Sequence, residues 1–361
     1  MKVLYITNGI NKAGGLERVL SVKASLLAES SDYEVFILVL NNGDRNCFYK
    51  FSEKIKTVSI PVGGNPIQYL QSYRKEIMDV VKQINPDIIS VCDDGLKAFF
   101  VPQILKYRKG IIYERHVSKL IDANSQDNLM KKIVNAMKWW IMEKKAKDFS
   151  RFIVLTEGNK KEWKSLKNIQ VIANPLSFYP DRVSDLKSKK VICVGKISYQ
   201  KGQDLLLEAW KIVNRNFPDW TLELYGKEDI NYLRDIDLER INVRYFTPDP
   251  NIEEKYLNSS IYVMPSRYEG FGMVLTEAMA CGVPCVSFDC NYGPADIIEN
   301  NIDGYLVEKE NISDLADKIM YLIRNENIRL EFGEKARESA KKYLPINIIK
   351  EWQILFNTIA G

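Results

Sequence analysis

IYVMPSRYEGFGMVLTEAMACGVPCVSF, residues 261–288, holds in one stretch a β-rich run, a glycine-broken turn, a helix-period run and a second β-rich run. The turn SRYEGFG leads into MVLTEAMA. Gly282 followed by Pro284 ends that helix, because glycine accepts the left-handed C′ position and proline cannot continue the helical ladder. Strand, crossing helix and strand make a βαβ unit, whose two strands lie parallel.

The same rhythm extends in both directions. Short β-rich runs at residues 2–6, 35–40, 87–91, 110–113 and 152–155 alternate with longer helix-period runs. The pattern then restarts at 190–194, continues through the helical GQDLLLEAWKIVNRN to 221–225 and 243–246, and arrives at 261–288. Two doubly wound α/β domains in tandem fit this better than one large sheet. The join falls in NPLSFYPDRVSDLKSKK, residues 174–190, where two prolines and a charged run interrupt both periodicities. The expected organisation is a first domain over 1–175, a linker over 176–189, a second domain over 190–345 and a C-terminal helix over 346–361. That helix carries an apolar stripe of Ile348, Trp352, Leu355, Phe356 and Ile359, which needs a partner surface and is expected to cross back to the first domain.

Bulk properties narrow the classes. With 361 residues, 46% hydrophobic and 27% charged, the chain is long enough for two separate cores. No apolar run approaches the roughly 18 residues that span a bilayer, and KVLYITNGI is too short and strand-like for a secretory signal, so a cytoplasmic protein is expected. The six cysteines show no CxxC pairing and the single histidine lies far from them in sequence, which speaks for buried thiols and against zinc. A net charge of +4 is too mild for a dedicated nucleic-acid binder.

The opening stretch also carries chemistry. Glu269 lies in the turn and Glu277 in the helix, on either side of a helix start whose N–H groups, near Gly272 to Val274, favour an anion. A carboxylate accepts paired hydrogen bonds from a vicinal diol, so a ligand with phosphates between two hydroxyl-rich ends, such as a nucleotide sugar, would account for the arrangement. Simple dipole stabilisation at the helix N-terminus, worth about 0.3–1 kcal/mol, accounts for it equally well. Lys196 and Lys201 follow the buried-looking strand VICVG, on the edge where open α/β sheets bind ligands. Asp235 and Asp237 form a DxD inside the helix-like YLRDIDLERI. Residues two apart point in different directions on a helix, so the pair reads as a solvated surface, and no metal is expected.

The stretch SRYEGFGMVLTEAMACGVPCVSFDCNYGPADIIENNIDGYLV resembles the signature of retaining glycosyltransferases of the large family 4 group. VGKISYQKGQDLLLEAW, KAGGLERVL and ANPLSF are similar to further motifs of that family, in its order, over essentially the whole chain. The resemblance implies the GT-B fold: α/β, with two Rossmann-like domains facing across a cleft. It implies that Glu277 holds the ribose hydroxyls, that Glu269 contacts the transferred sugar, and that Phe271, Gly272, Met273 and Val274 offer backbone amides to sugar and diphosphate. Lys196 and Lys201 match the basic pair that neutralises the leaving diphosphate, although the first is more often arginine in the family. A lysine there keeps the charge but loses the bidentate fork. Gly14 and Gly15 match the glycine pair of the first domain, and His116 a histidine near the reacting sugar. The implied donor is a nucleoside diphosphate sugar, UDP-linked, used without a cofactor or metal, and the implied acceptor is a glycan or lipid-linked glycan of a bacterial surface polysaccharide.

Two other classes are open to the same fold. A nicotinamide-dependent oxidoreductase would show GxGxxG, and NGINKAGGLERV does not. A noncatalytic nucleotide-sugar-binding scaffold would keep the fold and lose the chemistry, against which the paired glutamates and paired lysines speak. Finally, NLMKKIVNAMKWWIMEKKAK, residues 128–147, places Leu129, Ile133, Met137, Trp140 and Ile141 on one helical stripe, expected to be core. Lys131, Lys138 and Lys145, with Lys132 and Trp139, are expected to face outward. Arg151, Lys160, Lys161 and Lys164 extend this basic region, which suits either plain solvent or peripheral contact with an anionic membrane.

Overall fold

A computed structural model describes residues 1–41, 46–106, 110–119, 129–227, 233 and 236–361. The chain forms two compact units, Met1–Ser177 together with Pro345–Gly361, and Phe178–Leu344.

In the first unit the chain runs β1 (Lys2–Thr7), α1 (Gly15–Glu29), β2 (Glu34–Leu40), β3 (Lys56–Ile60), α2 (Pro66–Ile84), β4 (Ile88–Cys92), α3 (Val101–Leu105), β5 (Ile111–Glu114), α4 (Leu129–Ala146), β6 (Arg151–Val154), α5 (Glu157–Lys160) and β7 (Ile169–Val171). Among the described residues the strands form one parallel sheet in the order β3-β2-β1-β4-β5-β6-β7. The strand order reverses between β1 and β4, which opens a crevice at their carboxyl ends. The loop after β1 leads to Gly14 and Gly15, and the turn after β4 carries Asp93 and Asp94.

The second unit contains β8 (Lys190–Val194), α6 (Gln203–Asn216), β9 (Thr221–Tyr225), β10 (Val243–Phe246), α7 (Ile252–Leu257), β11 (Ile261–Met264), α8 (Met273–Ala280), β12 (Cys285–Phe288), α9 (Pro294–Ile297), β13 (Gly304–Val307), α10 (Ile312–Arg324) and α11 (Glu326–Ala340). Its strands, again parallel, lie in the order β10-β9-β8-β11-β12-β13. Here the reversal falls between β8 and β11, so the Lys196–Lys201 loop and the Ser266–Gly272 loop leave adjacent strand ends. The core on one face joins Leu206 and Trp210 of α6 to Leu315 and Ile319 of α10. Residues 178–189, whose composition reads as a linker, pack on this unit. Leu186 is buried, Ser184 N–H donates to Cys281 O at 2.9 Å, and Arg329 Nε donates to Leu186 O at 3.1 Å.

The last helix, α12 (Pro345–Ala360), belongs to the first unit. Ile348, Trp352, Leu355, Phe356 and Ile359 are buried in one cluster with Leu20, Ala24 and Leu27 of α1 and Val3 and Tyr5 of β1.

Three sequence expectations need correction. In α4 the stripe assigned to the core is largely exposed: Leu129 is 74% exposed, Ile133 55%, Met137 58% and Trp140 64%, with Met130 and Val134 also exposed. The helix is rotated so that Trp139, Met142 and Ala146 face inward, with Trp139 edge-on to buried Trp163 at 6.2 Å. Both faces have apolar residues at helical spacing, and the aromatic partner inside decides between adjacent tryptophans. Lys138 and Lys145 accordingly lie half-buried over the rings of Trp139 and Phe100. Second, Asp237 is not in a helix. It precedes a short turn over Glu239–Ile241 and accepts from Arg240 N–H at 3.2 Å, while Asp235 lies outside the described residues. Third, Cys47 is exposed, whereas the other five thiols are buried. Among the described residues, no helix is long and apolar enough to cross a membrane.

Candidate active site

The second unit brings two loops into direct contact. Gly202, the N-cap of α6, has φ +67°, and a Cβ there would fall 2.0 Å from Pro265 O, so only glycine lets the first loop press against the end of β11. Arg267, buried to 7% exposure, then latches the loops together. Its N–H donates to Gln200 O at 2.8 Å and its Nη1 to Tyr199 O at 2.7 Å, and its guanidinium lies over the Tyr199 ring at 4.0 Å. It also grips the carboxylate of Asp204 in α6 with both Nη atoms, at 2.9 and 2.6 Å, the fork geometry a lysine cannot supply. Gln200 Nε2 answers by donating to Tyr268 O at 3.2 Å.

This latch carries Lys201 to Glu269. Lys201 Nζ donates to Glu269 Oε1 at 2.6 Å, and Ser266 Oγ donates to the same oxygen at 2.6 Å. Among the described residues both bonds fall on Oε1, which leaves Oε2 as the acceptor for a further donor. Glu269 is 5% exposed. Beneath them the Cys193 thiol is pushed up to about 12 by burial, against a lowering pull from Lys201 and with a raising push from Glu269. Lys196 stands exposed at the start of the loop, and its carbonyl accepts from Gln203 Nε2 at 3.2 Å.

Gly272, with φ +95°, caps the N-terminus of α8. The first N–H groups of a helix have no partner within it, so the amides here point out along the axis. Met273 and Val274 are half-buried at this end, whereas the Phe271 ring is buried edge-on to Tyr343, at 5.4 Å, and can serve a ligand only through its backbone. Glu277, one turn further and 1% exposed, accepts from Tyr256 OH at 3.4 Å on Oε2.

In the first unit, Gly14 caps α1 and Gly15 begins it. A Cβ on Gly14 would meet the Glu17 carboxylate at 2.2 Å, while Gly15 has open space. His116 lies two residues past β5, and its Nε2 is 3.3 Å from Glu114 Oε2. Glu114, 1% exposed, also takes a bond from Ser90 Oγ at 2.5 Å and an ion pair from the fully buried Lys23 of α1. Burial alone would raise the Glu114 carboxyl, but the Lys23 ammonium, helped by His116, holds it well below the usual carboxylate range. Nearby, Asn8 Nδ2 and Lys97 Nζ both bond Asp93, each at 2.7 Å, and Arg115 pairs with Asp94 at 3.1 Å.

Cys92, Glu114 and His116 lie within 4.8 Å of one another and, among the described residues, form the one group of three with metal-ligand atoms. The Lys23 ammonium already bonds the Glu114 oxygen nearest His116, and burial keeps the Cys92 thiol protonated, so the trio already holds its positive charge.

The sequence reading did not single out Lys23, Ser90, Asp204, Ser266 or Arg267. One signal for Lys23 was present: it falls on the α1 stripe with Leu20, Ala24 and Leu27, at a position otherwise reserved for apolar side chains.

Residues 180–339 match the family described as glycosyl transferases group 1. The amylovoran biosynthesis glycosyltransferase AmsD of Erwinia amylovora is 30% identical over 99% of this chain and 99% of its own. The poly(ribitol-phosphate) alpha-N-acetylglucosaminyltransferase of Staphylococcus aureus is 31% identical over 75% of this chain and 56% of its own. Among solved structures, Anabaena HepE in complex with UDP-glucose aligns with a TM-score of 0.78 over 99% of this chain and all of its own, at 17% identity. At that identity the likeness speaks to fold, and the fold is of the GT-B type.

Proposed function

The chain belongs to the group 1 glycosyl transferases, and from that premise we propose that it is a retaining transferase using a UDP-sugar. It moves a hexose or N-acetylhexosamine to a hydroxyl of a glycan or lipid-linked glycan in bacterial surface polysaccharide assembly. The observation that carries the reading is the contact of Lys201 with Glu269 at paired strand ends, beside the N-terminus of α8. A cation for a diphosphate and a carboxylate for a sugar hydroxyl stand side by side, as a nucleotide sugar requires. The names of the relatives support the polysaccharide context, and the UDP-glucose bound to HepE supports the choice of donor.

In this reading Glu277 takes the ribose diol, the amides of Phe271, Gly272, Met273 and Val274 meet the sugar and diphosphate, and Gly14 and Gly15 keep the start of α1 open to a phosphate. The acceptor oxygen bonds to the anomeric carbon on the face from which the bond to the phosphate oxygen breaks, and the acceptor's proton passes to that phosphate oxygen. Lys196 and Lys201 balance the charge that builds on the departing diphosphate. With these cations and the helix amides in place, no metal takes part. Peripheral contact with an anionic membrane belongs to the same reading, carried by the exposed apolar side chains of α4 together with its lysines.

The test is a panel of UDP-, GDP- and ADP-sugars assayed for nucleotide release, with product anomers read by proton NMR. Release from a UDP-sugar with the anomer retained is expected. An inverted product rejects the mechanism, and tight nucleotide-sugar binding without turnover on any acceptor turns the protein into a scaffold.

A further inference from the structure

We propose that Arg267 is a positioning residue that ties three loops at the carboxyl edge of the second unit's sheet into one body, so that Lys201 is already in place when negative charge builds on a leaving group. The role given to Lys201 rests on the transferase reading, whereas the tie between the loops does not.

Arg267 is buried two residues before Glu269, and its contacts reach out of its own loop. Toward the Lys196–Gly202 loop, its N–H and its Nη1 hold the carbonyls of Gln200 and Tyr199, the two residues that precede Lys201. Toward α6, its two Nη atoms grip Asp204 in the first turn. Toward the loop between β13 and α10, its Nε lies 3.3 Å from Glu310 Oε1.

Stability alone does not explain this hub. The side chains of Asp204 and Glu310 are 41% and 47% exposed, and ion pairs open to water add little to folding. Helices α6 and α10 are already joined through Leu206, Trp210, Leu315 and Ile319, so the tie is not needed to bring them together. Glu310 moreover stands at φ +65°, a left-handed backbone that is unfavourable for a residue with a Cβ. An unfavourable conformation held at the edge where such sheets bind ligands points to a role beyond stability.

That role is at Lys201. Its ammonium ends a flexible four-carbon stem, with no planar group to preset its direction. The backbone beneath it is fixed instead: the N–H groups of Lys201 and Gly202 donate to Ser198 O at 3.0 and 3.2 Å, and Arg267 holds the two carbonyls in between. With the Lys201 Cα held there, its Nζ stands 2.6 Å from Glu269 Oε1. A cation fixed before charge develops needs no reorganisation as the charge appears, whereas a displacement of about 1 Å can cost on the order of a hundredfold in rate.

Arg267→Lys keeps the charge and loses the fork, and so tests the tie. Hydrogen exchange read by mass spectrometry should speed up at residues 198–202 and stay unchanged through the rest of the second unit. With a UDP-sugar turned over by the wild type, kcat should fall roughly 10- to 100-fold while UDP affinity stays within a few-fold, because a loosened Lys201 still finds a diphosphate already bound. Asp204→Asn should show the same split, and adding it to Arg267→Lys should cost nothing further, since both act through one contact. Unchanged exchange in the loop, unchanged kcat, a loss that lies in UDP affinity, or losses that simply multiply overturn the proposal. Should Arg267→Lys not fold, exchange, kcat and UDP affinity are measured on Asp204→Asn alone, and faster loop exchange with a fall confined to kcat supports the proposal where any other result overturns it. Failure of the transferase reading would show in the wild type itself, as no nucleotide release, with the exchange comparison unaffected.

Discussion

Replacing Glu269 by glutamine separates binding from chemistry at the proposed sugar contact. The amide keeps the shape of the side chain but removes the charge that Lys201 Nζ and Ser266 Oγ both meet at 2.6 Å. A hydrogen bond to a charged group is worth about 1.5–3 kcal/mol, so losing the one that Oε2 is proposed to make in the transition state should lower kcat roughly 10- to 150-fold. Breaking a buried ion pair typically costs about 3–5 kcal/mol because the surviving charge is stranded. Here the survivor, the Lys201 side chain, is 22% exposed and can reach water, so a folding loss of only about 1–2 kcal/mol is expected. Freed from the carboxylate, Lys201 remains available to a diphosphate, and UDP affinity should hold or rise. The assay pairs steady-state release of nucleotide with titration calorimetry of UDP and thermal unfolding. Unchanged kcat, or a loss that lies entirely in UDP affinity, would refute the division of labour between Glu269 and Lys201.

Glu277→Ala should weaken UDP binding roughly 10- to 100-fold while kcat at saturating donor stays within a few-fold, which calorimetry and saturation kinetics check together. Activity should survive dialysis against EDTA; complete loss reversed by magnesium or manganese would reject the metal-free mechanism. The Glu114 carboxyl is held below its ordinary range in the folded protein, so its contribution to stability is whole above the unfolded value of about 4.3 and fades as pH falls below it, when protonation strands buried Lys23. Acid unfolding followed by circular dichroism should therefore lose part of its slope below about pH 4 in Glu114→Gln. On α4, the triple change Ile133→Ser/Met137→Ser/Trp140→Ser removes side chains a little over half exposed. At about 1 kcal/mol each it should weaken sedimentation with anionic vesicles roughly 100-fold. Glu at Lys138 and Lys145, both half-buried, should act more weakly, and equal effects of the two sets would contradict the orientation of the helix.

What the sequence determined by itself was whatever local physics decides. Strands β1, β2, β4, β5 and β6, and β8 to β12, are short runs dense in β-branched and aliphatic residues between helical periods, and their restart after residue 190 is enough to divide the chain. The two ends of α8 were legible because Gly272 before it and Gly282 after it are glycines, both at positive φ. Strands β3, β7 and β13 escaped because each is an edge of its sheet. KTVSI is mostly exposed, IQV has three residues, and GYLV opens on a glycine, so neighbours rather than composition hold them extended.

Only the tertiary structure decided which face of a helix is inside. In α4 two apolar faces compete at the same period, and Trp163, far along the chain, selects Trp139 over Trp140. The partners of charged residues were equally out of reach. Lys201 meets Glu269 across 68 positions, Arg267 meets Asp204 across 63, and Lys23 meets Glu114 across 91. Spacing along a chain carries information only over a helical turn or a strand pair. Whether a lysine is a solvated surface charge or the ammonium that keeps a buried carboxylate ionised depends on which distant strand end the parallel sheet places beside it.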